Sequence, residues 1–166
     1  KSAKTATIVI PFRDPTGFAG STLSQHQRFL QGHAENPFDA KYMAWLGHHE
    51  FGPNFKPFAA PGMVPPQNVT TDVTPDYLVQ YWIRVYTELL NQTSTRVVFF
   101  DYDGFCDAPE ATLTALGAVL TLKTPPRPPP EGVHAPKGYD ASGISPETLH
   151  AAQELHVILK NHALKE

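Results

Sequence analysis

Cysteine is nearly absent: Cys106 is the single one in 166 residues. That excludes an internal disulfide framework and a cysteine-built zinc site. No apolar run approaches the ~20 residues that a membrane-spanning helix needs. Charge is sparse, at 17% of residues, and nearly balanced, with a net −3 at pH 7. That argues against a nucleic-acid protein held by bulk positive charge and leaves room only for a local basic pocket. There is no internal repeat, no HExxH and no GxxxxGK[ST]. Apolar residues are well supplied, at 41%, and there are 17 prolines, unevenly spread. A chain of this length suits one domain and buries roughly 70% of the surface it exposes when unfolded. Its composition is that of a packed domain, not of a disordered tail.

Two segments have the pattern of buried strands. Thr5–Phe12, TATIVIPF, is short, β-branched and apolar, and so is Arg96–Tyr102, RVVFFDY. Helix starts are marked by a capping residue followed by proline. Asp14-Pro15 opens a helix expected to run to Leu30 and stop near Gly32, and Thr74-Pro75-Asp76 and Ser145-Pro146-Glu147 open two more. Asp107-Ala108-Pro109-Glu110 has capping-box spacing. Phe38–His49 is a weaker helix. The helix after Pro75 places Leu78, Tyr81, Trp82, Val85 and Leu89 on one stripe. Segments 51–71 and 123–143 are rich in proline and glycine and predict irregular chain. Strands alternating with helices predict an α/β fold with a parallel sheet. Two buried-type strands are few for such a sheet. With Lys1 at the first position and a strand close behind, the expectation is a piece of a larger domain.

Chemistry concentrates at the end of the first strand. Arg13 stands where the strand gives way to a helix, and Ser21 follows eight residues on. A helix start offers free N–H groups and the positive end of the dipole to an anion. Arg13 adds a guanidinium fork suited to phosphate. Asp14, Gly17 and Ser21 share one face at offsets of three and four. The alternative is that Arg13 pairs with Asp14 and Ser21 merely packs.

PFRDPTGFAGSTLSQHQRF, residues 11–29, resembles the 3′-phosphate-binding segment of the sulfotransferase family: a strand ending in Arg-Asp-Pro, then a helix with Ser eight residues after the Arg. VVFFDYDGFCDAPEATLTALGAVLTL, residues 97–122, is similar to the family's second hallmark, a strand ending in Tyr among acids and then a Leu-rich helix. KYMAWLGHHEFG is similar to a bacterial branch. The resemblance spans Thr5 to Leu159. It implies a partial, helix-rich, parallel three-layer sheet of the P-loop sulfotransferase type, lacking the N-terminal strand and P-loop, as one domain over residues 1–166. It implies transfer of a sulfuryl group from 3′-phosphoadenosine 5′-phosphosulfate to a hydroxyl or amine. Arg13 and Ser21 are then the ligands of the 3′-phosphate, and Tyr102 lies near the cofactor. Lys137 and Gly138 are the nearest match to the family's late basic loop, though the Arg that often precedes the Lys is missing. The family's 5′-phosphosulfate loop and usual base precede the Arg-Asp-Pro segment, and no such loop stands before Thr5. The expected acceptor is a small molecule or carbohydrate, with Phe51, Phe55 and Phe58 on the loop that would shape its pocket. No nucleic acid and no membrane span are expected, the location is expected to be cytoplasmic, and the strands are expected to need cover from an N-terminal segment or a second copy.

Two other groupings compete. Asp101-Tyr102-Asp103-Gly104 after an apolar strand is how haloacid-dehalogenase-type phosphatases begin, with a nucleophilic Asp, an acid/base Asp and magnesium between carboxylates. Phe105 stands where that family has Thr or Val. The plainer role of these acids is turn and cap formation. His48-His49-Glu50 is too compact for chelation from a helix, which leaves a general base or a helix end with one buried imidazole. A non-catalytic nucleotide-binding or scaffold domain would use the same Arg13 cradle.

Overall fold

A computed structural model of the chain describes residues 6–92, 96–134 and 136–164. The expected beginning of the first strand at Thr5 lies outside them. Strand β1 (Ile8–Phe12) runs parallel to β2 (Val97–Asp101), in register from Ile8 against Val97 to Phe12 against Asp101. Between them come α1 (Pro15–Glu35), α2 (Pro37–Trp45), a 3-10 turn at Gly52–Asn54, and α3 (Pro75–Asn91). After β2 follow α4 (Tyr102–Asp107), α5 (Pro109–Val119) and α6 (Pro146–His162). The fold is α/β and helix-rich, and among the described residues its sheet has two strands.

Local chemistry sets most of these boundaries. Asp14, Thr74 and Ser145 each cap a helix by accepting from the backbone N–H three residues on, and each is followed by proline at the first helical position. Helix α1 runs past Gly32, which is tolerated in a helix, and stops at Asn36 because the residue before Pro37 disfavours helical backbone. Asn36 then accepts from the Phe38 N–H and caps α2, which ends at Trp45 short of the expected His49. Two expectations near β2 are corrected. Tyr102 opens α4 and does not end the strand, because Asp101 accepts from the N–H groups of Asp103 and Gly104 and starts a helix at once. Asp107 closes α4, so α5 begins at Pro109 behind Ala108, which has no side chain to cap it.

The core has two adjoining parts. One gathers Ala19, Phe55, Val73, Leu78, Val79 and Ala152. The other sets Phe12 and Phe99 of the sheet against Trp82, Leu155 and Leu159. Helices α3 and α6 therefore cover one face of the sheet. The burial of Leu78 and Trp82 follows the stripe expected of α3.

The parallel ladder starts with Ile8 N–H to Arg96 O at 2.8 Å, so by alternation the Val9 and Pro11 peptide groups point away from β2. Pro11 has no N–H to offer there, and its carbonyl accepts the Tyr86 hydroxyl at 2.6 Å. The outer edge of β1 is thus blunted against further strand pairing at its carboxyl end.

Candidate functional site

The carboxyl end of β1 delivers Arg13 to the start of α1. Its guanidinium folds over Gly17, where a Cβ would stand 2.8 Å from Nη2. Glycine at this position gives the arginine its seat. The carboxylate of Asp14 is occupied by the α1 start: Oδ1 accepts from Gly17 N–H at 2.7 Å and from the Thr16 hydroxyl. The Asp14 N–H donates to Asp103 Oδ2 at 2.5 Å, which ties α4 to the same corner. Neither acid forms an ion pair with Arg13. Arg13 Nε is sealed from solvent and meets no acceptor among the described residues. The guanidinium carbon lies 5.7 Å from the centre of the Tyr102 ring.

A strap, Pro136–Tyr139, lies beside α1 and forms one wall of an open cleft of about 460 Å³ at this corner. Its walls include Arg13, Gly17, Lys137, Gly138, His156 and Lys160. Asp103 and Asp107 stand at its α4 side. The strap is seated by Tyr139, whose ring lies against Gly20, and Lys137 Nζ stands 5.5 Å from the centre of that ring. Four basic side chains from three parts of the chain thus meet around one helix start, and Asp14, Asp103 and Asp107 share the wall with them.

Of the residues chosen from sequence, Arg13, Lys137 and Gly138 come together in this cleft. Tyr102 approaches it through the contact with Arg13 and is not one of its wall residues. Its hydroxyl pKa is raised, first by the hydrogen bond with Cys106, while Arg13 acts in the opposite sense. Ser21 is half-buried on α1, just past the residue on which Tyr139 sits, and is not part of the cleft wall.

His156 and Lys160 were not legible as site residues. Helix α6 has the pattern of a core helix, and nothing in the sequence says that its other side meets Arg13. The His156 ring packs edge-on against Phe12 and Trp82, with Nε2 sealed and unpartnered among the described residues. Burial pushes its pKa below the usual imidazole value and Lys160 adds to that, while Asp14, Asp101 and Asp103 oppose it.

The acids after β2 have structural work. Asp101 Oδ1 accepts from the N–H groups of Asp103 and Gly104 at 3.1 Å each, and Oδ2 lies 3.7 Å from Lys160 Nζ. Among the described residues no group of three His, Cys, Asp or Glu is placed to hold a metal ion. His48 and Glu50 form an exposed pair at 3.3 Å beyond the end of α2, and His49 Nδ1 lies 3.2 Å from Asn54 O. Phe55 is core, Phe51 packs on Phe29, and Phe58 is exposed. A larger groove of about 1020 Å³ lies between the start of α5 and Thr124–Pro129. It is lined mostly by prolines, with Glu110, Thr114, Thr124 and a single cation, Arg127.

No protein-family model, curated protein or solved structure matches this chain. No helix of the described residues is long and apolar enough to cross a membrane.

Proposed function

We propose that the cleft at Arg13 binds the 3′-phosphate of 3′-phosphoadenosine 5′-phosphosulfate, and that the chain serves sulfuryl transfer to a hydroxyl or amine of a small-molecule or carbohydrate acceptor. One observation carries this reading: Arg13 and the Lys137–Gly138 strap line one cleft at the start of α1. These residues lie far apart in sequence and were matched separately to the two 3′-phosphate elements of sulfotransferases. A phosphate there would meet Arg13 and Lys137 beside the start of α1, where Asp14 already takes the Gly17 N–H and Pro15 has none to offer. The alternative in which Asp14 neutralises Arg13 has less support, since Asp14 is committed to Gly17 and Thr16.

The reading assigns this chain binding and orientation of the donor. Stabilising charge on the transferring sulfuryl group needs donors aimed at the sulfate and bridging oxygens, and the 3′-phosphate cleft lies at the other end of the nucleotide. A phosphatase reading through Asp101 has less support, because Oδ1 is engaged by two backbone N–H groups and Oδ2 faces Lys160.

Calorimetric titration tests the proposal. Adenosine 3′,5′-bisphosphate should bind at least tenfold more tightly than adenosine 5′-monophosphate, the scale of one charge-assisted contact. Equal affinity for the two nucleotides sinks it. Sulfate transfer to a panel of phenols and sugars then separates an enzyme from a non-catalytic nucleotide binder.

A further inference from the structure

The 3′-phosphate reading uses Arg13, Lys137 and Gly138 and leaves one titratable ring in the cleft wall without a role. His156 reaches the cleft from α6, and its surroundings are mixed. Phe12 of β1 and Trp82 of α3 hold the ring by their edges, at centroid distances of 5.8 and 6.3 Å. Lys160 faces it from its own helix, Asp14 from the start of α1, Asp101 from the end of β2 and Asp103 from α4. Arg13, Lys137 and Asp107 complete the charged groups of the cleft in this region. The carboxylates of Asp14, Asp101 and Asp103 are partly spent on backbone N–H groups and on Lys160. The empty cleft therefore holds a half-buried imidazole among apolar edges, cations and carboxylates, where burial and Lys160 favour the neutral ring and the carboxylates oppose them. A dianion placed among Arg13, Lys137 and Lys160 reverses that balance, because it offsets the cations and attracts a positive ring.

We propose that His156 is a proton-coupled partner of the cleft's anion: its ring takes up a proton from solvent when a dianionic phosphate or sulfate enters beside it. The group favours a fully ionised phosphomonoester over a singly charged diester, since two negative charges offset the surrounding cations more than one does. By linkage, anion binding tightens as pH falls through the range in which His156 titrates, until the anion itself is protonated. This inference rests on the reading of the cleft as a phosphate site, but it concerns the charge chemistry of the wall and not the nucleotide.

The test follows the His156 ring directly. The imidazole signals of the full chain are recorded by NMR between about pH 5 and about pH 8, around the ordinary histidine midpoint, and assigned by comparison with His156→Gln. Titrations are run on the empty chain, with sodium sulfate, and with adenosine 3′,5′-bisphosphate. Sulfate stays a dianion across this range, so any proton taken up belongs to the protein. The His156 midpoint should rise by about one unit with either anion, the scale of a nearby opposite charge. Lys160→Gln should raise the midpoint of the empty chain and shrink the further rise. A midpoint moved by sulfate, with bisphosphate no tighter than 5′-monophosphate, keeps this inference and overturns the nucleotide reading. Arg13-dependent bisphosphate binding with an unmoved midpoint overturns this inference and keeps the nucleotide reading. No response to either anion overturns both.

Discussion

The ring of Tyr139 occupies the space that a side chain at Gly20 would fill: a Cβ there would stand 2.2 Å from Tyr139 Cδ1 and 2.3 Å from Cγ. Gly20 is therefore the seat of the strap that carries Lys137 and Gly138 into the cleft wall. Gly20→Ala should separate stability from binding. Alanine in a helix interior is favoured over glycine by about 0.5–1 kcal/mol, so α1 itself gains. The Tyr139 ring has to leave, and the strap moves with it. The expected outcome is a melting temperature that holds or rises, with bisphosphate affinity lowered several-fold. Unchanged affinity would show that the strap plays no part in the cleft.

Arg13 and Ser21 should not be equal partners. Arg13 lines the cleft with a buried, unpaired Nε, whereas Ser21 stands outside its wall. Arg13→Ala should weaken adenosine 3′,5′-bisphosphate by about 1.5–3 kcal/mol, the scale of a hydrogen bond to a charged group. Ser21→Ala should cost less than about 1 kcal/mol, the scale of a neutral bond. A serine effect equal to the arginine effect, measured by calorimetry, would place the phosphate deeper along α1 than the cleft allows.

Asp101→Asn should fold normally and keep most of any sulfate-transfer turnover. Asparagine retains the Oδ1 acceptor that caps α4 and gives up only the ion pair with Lys160. A phosphatase nucleophile tolerates no such change. Phosphate-ester hydrolysis by the parent chain that vanishes in Asp101→Asn would revive that chemistry.

Two tyrosines of α3 should respond oppositely to loss of their hydroxyls. The Tyr86 hydroxyl donates to Pro11 O, whereas the Tyr77 hydroxyl is buried with no partner among the described residues. Tyr86→Phe should cost about 1 kcal/mol, and Tyr77→Phe should be neutral or stabilising. Burial pushes the pKa of each up to about 12. Above about pH 10 the unfolded chain releases these protons while the folded chain holds them, so stability falls as pH rises through that range. Denaturant midpoints at neutral and alkaline pH check both points. Each Phe variant should lose part of the alkaline sensitivity.

The local rules written in the sequence determine where helices start and which stripe of α3 is buried. Asp14-Pro15, Thr74-Pro75 and Ser145-Pro146 need only their immediate neighbours to satisfy a helix start, and all three hold. The same near-neighbour chemistry placed Arg13 between a strand and a helix start. It erred where two local signals competed. The Asp101 carboxylate captured the next N–H groups and turned Tyr102 into helix, and α4 then consumed the Asp107 expected to cap α5. The composition of the cleft was decided only by tertiary structure. Lys137 and Gly138 reach Arg13 because the Tyr139 ring finds room at Gly20, and His156 and Lys160 reach it because α6 packs its leucines against Phe12 and Phe99. The contacts to Arg13, Gly20 and Phe12 join residues more than a hundred positions apart, and those to Phe99 join residues more than fifty apart. Hydrophobic burial drives them but does not encode them in any local pattern, so a histidine beside a core leucine carries no sign of the charged cleft that it borders.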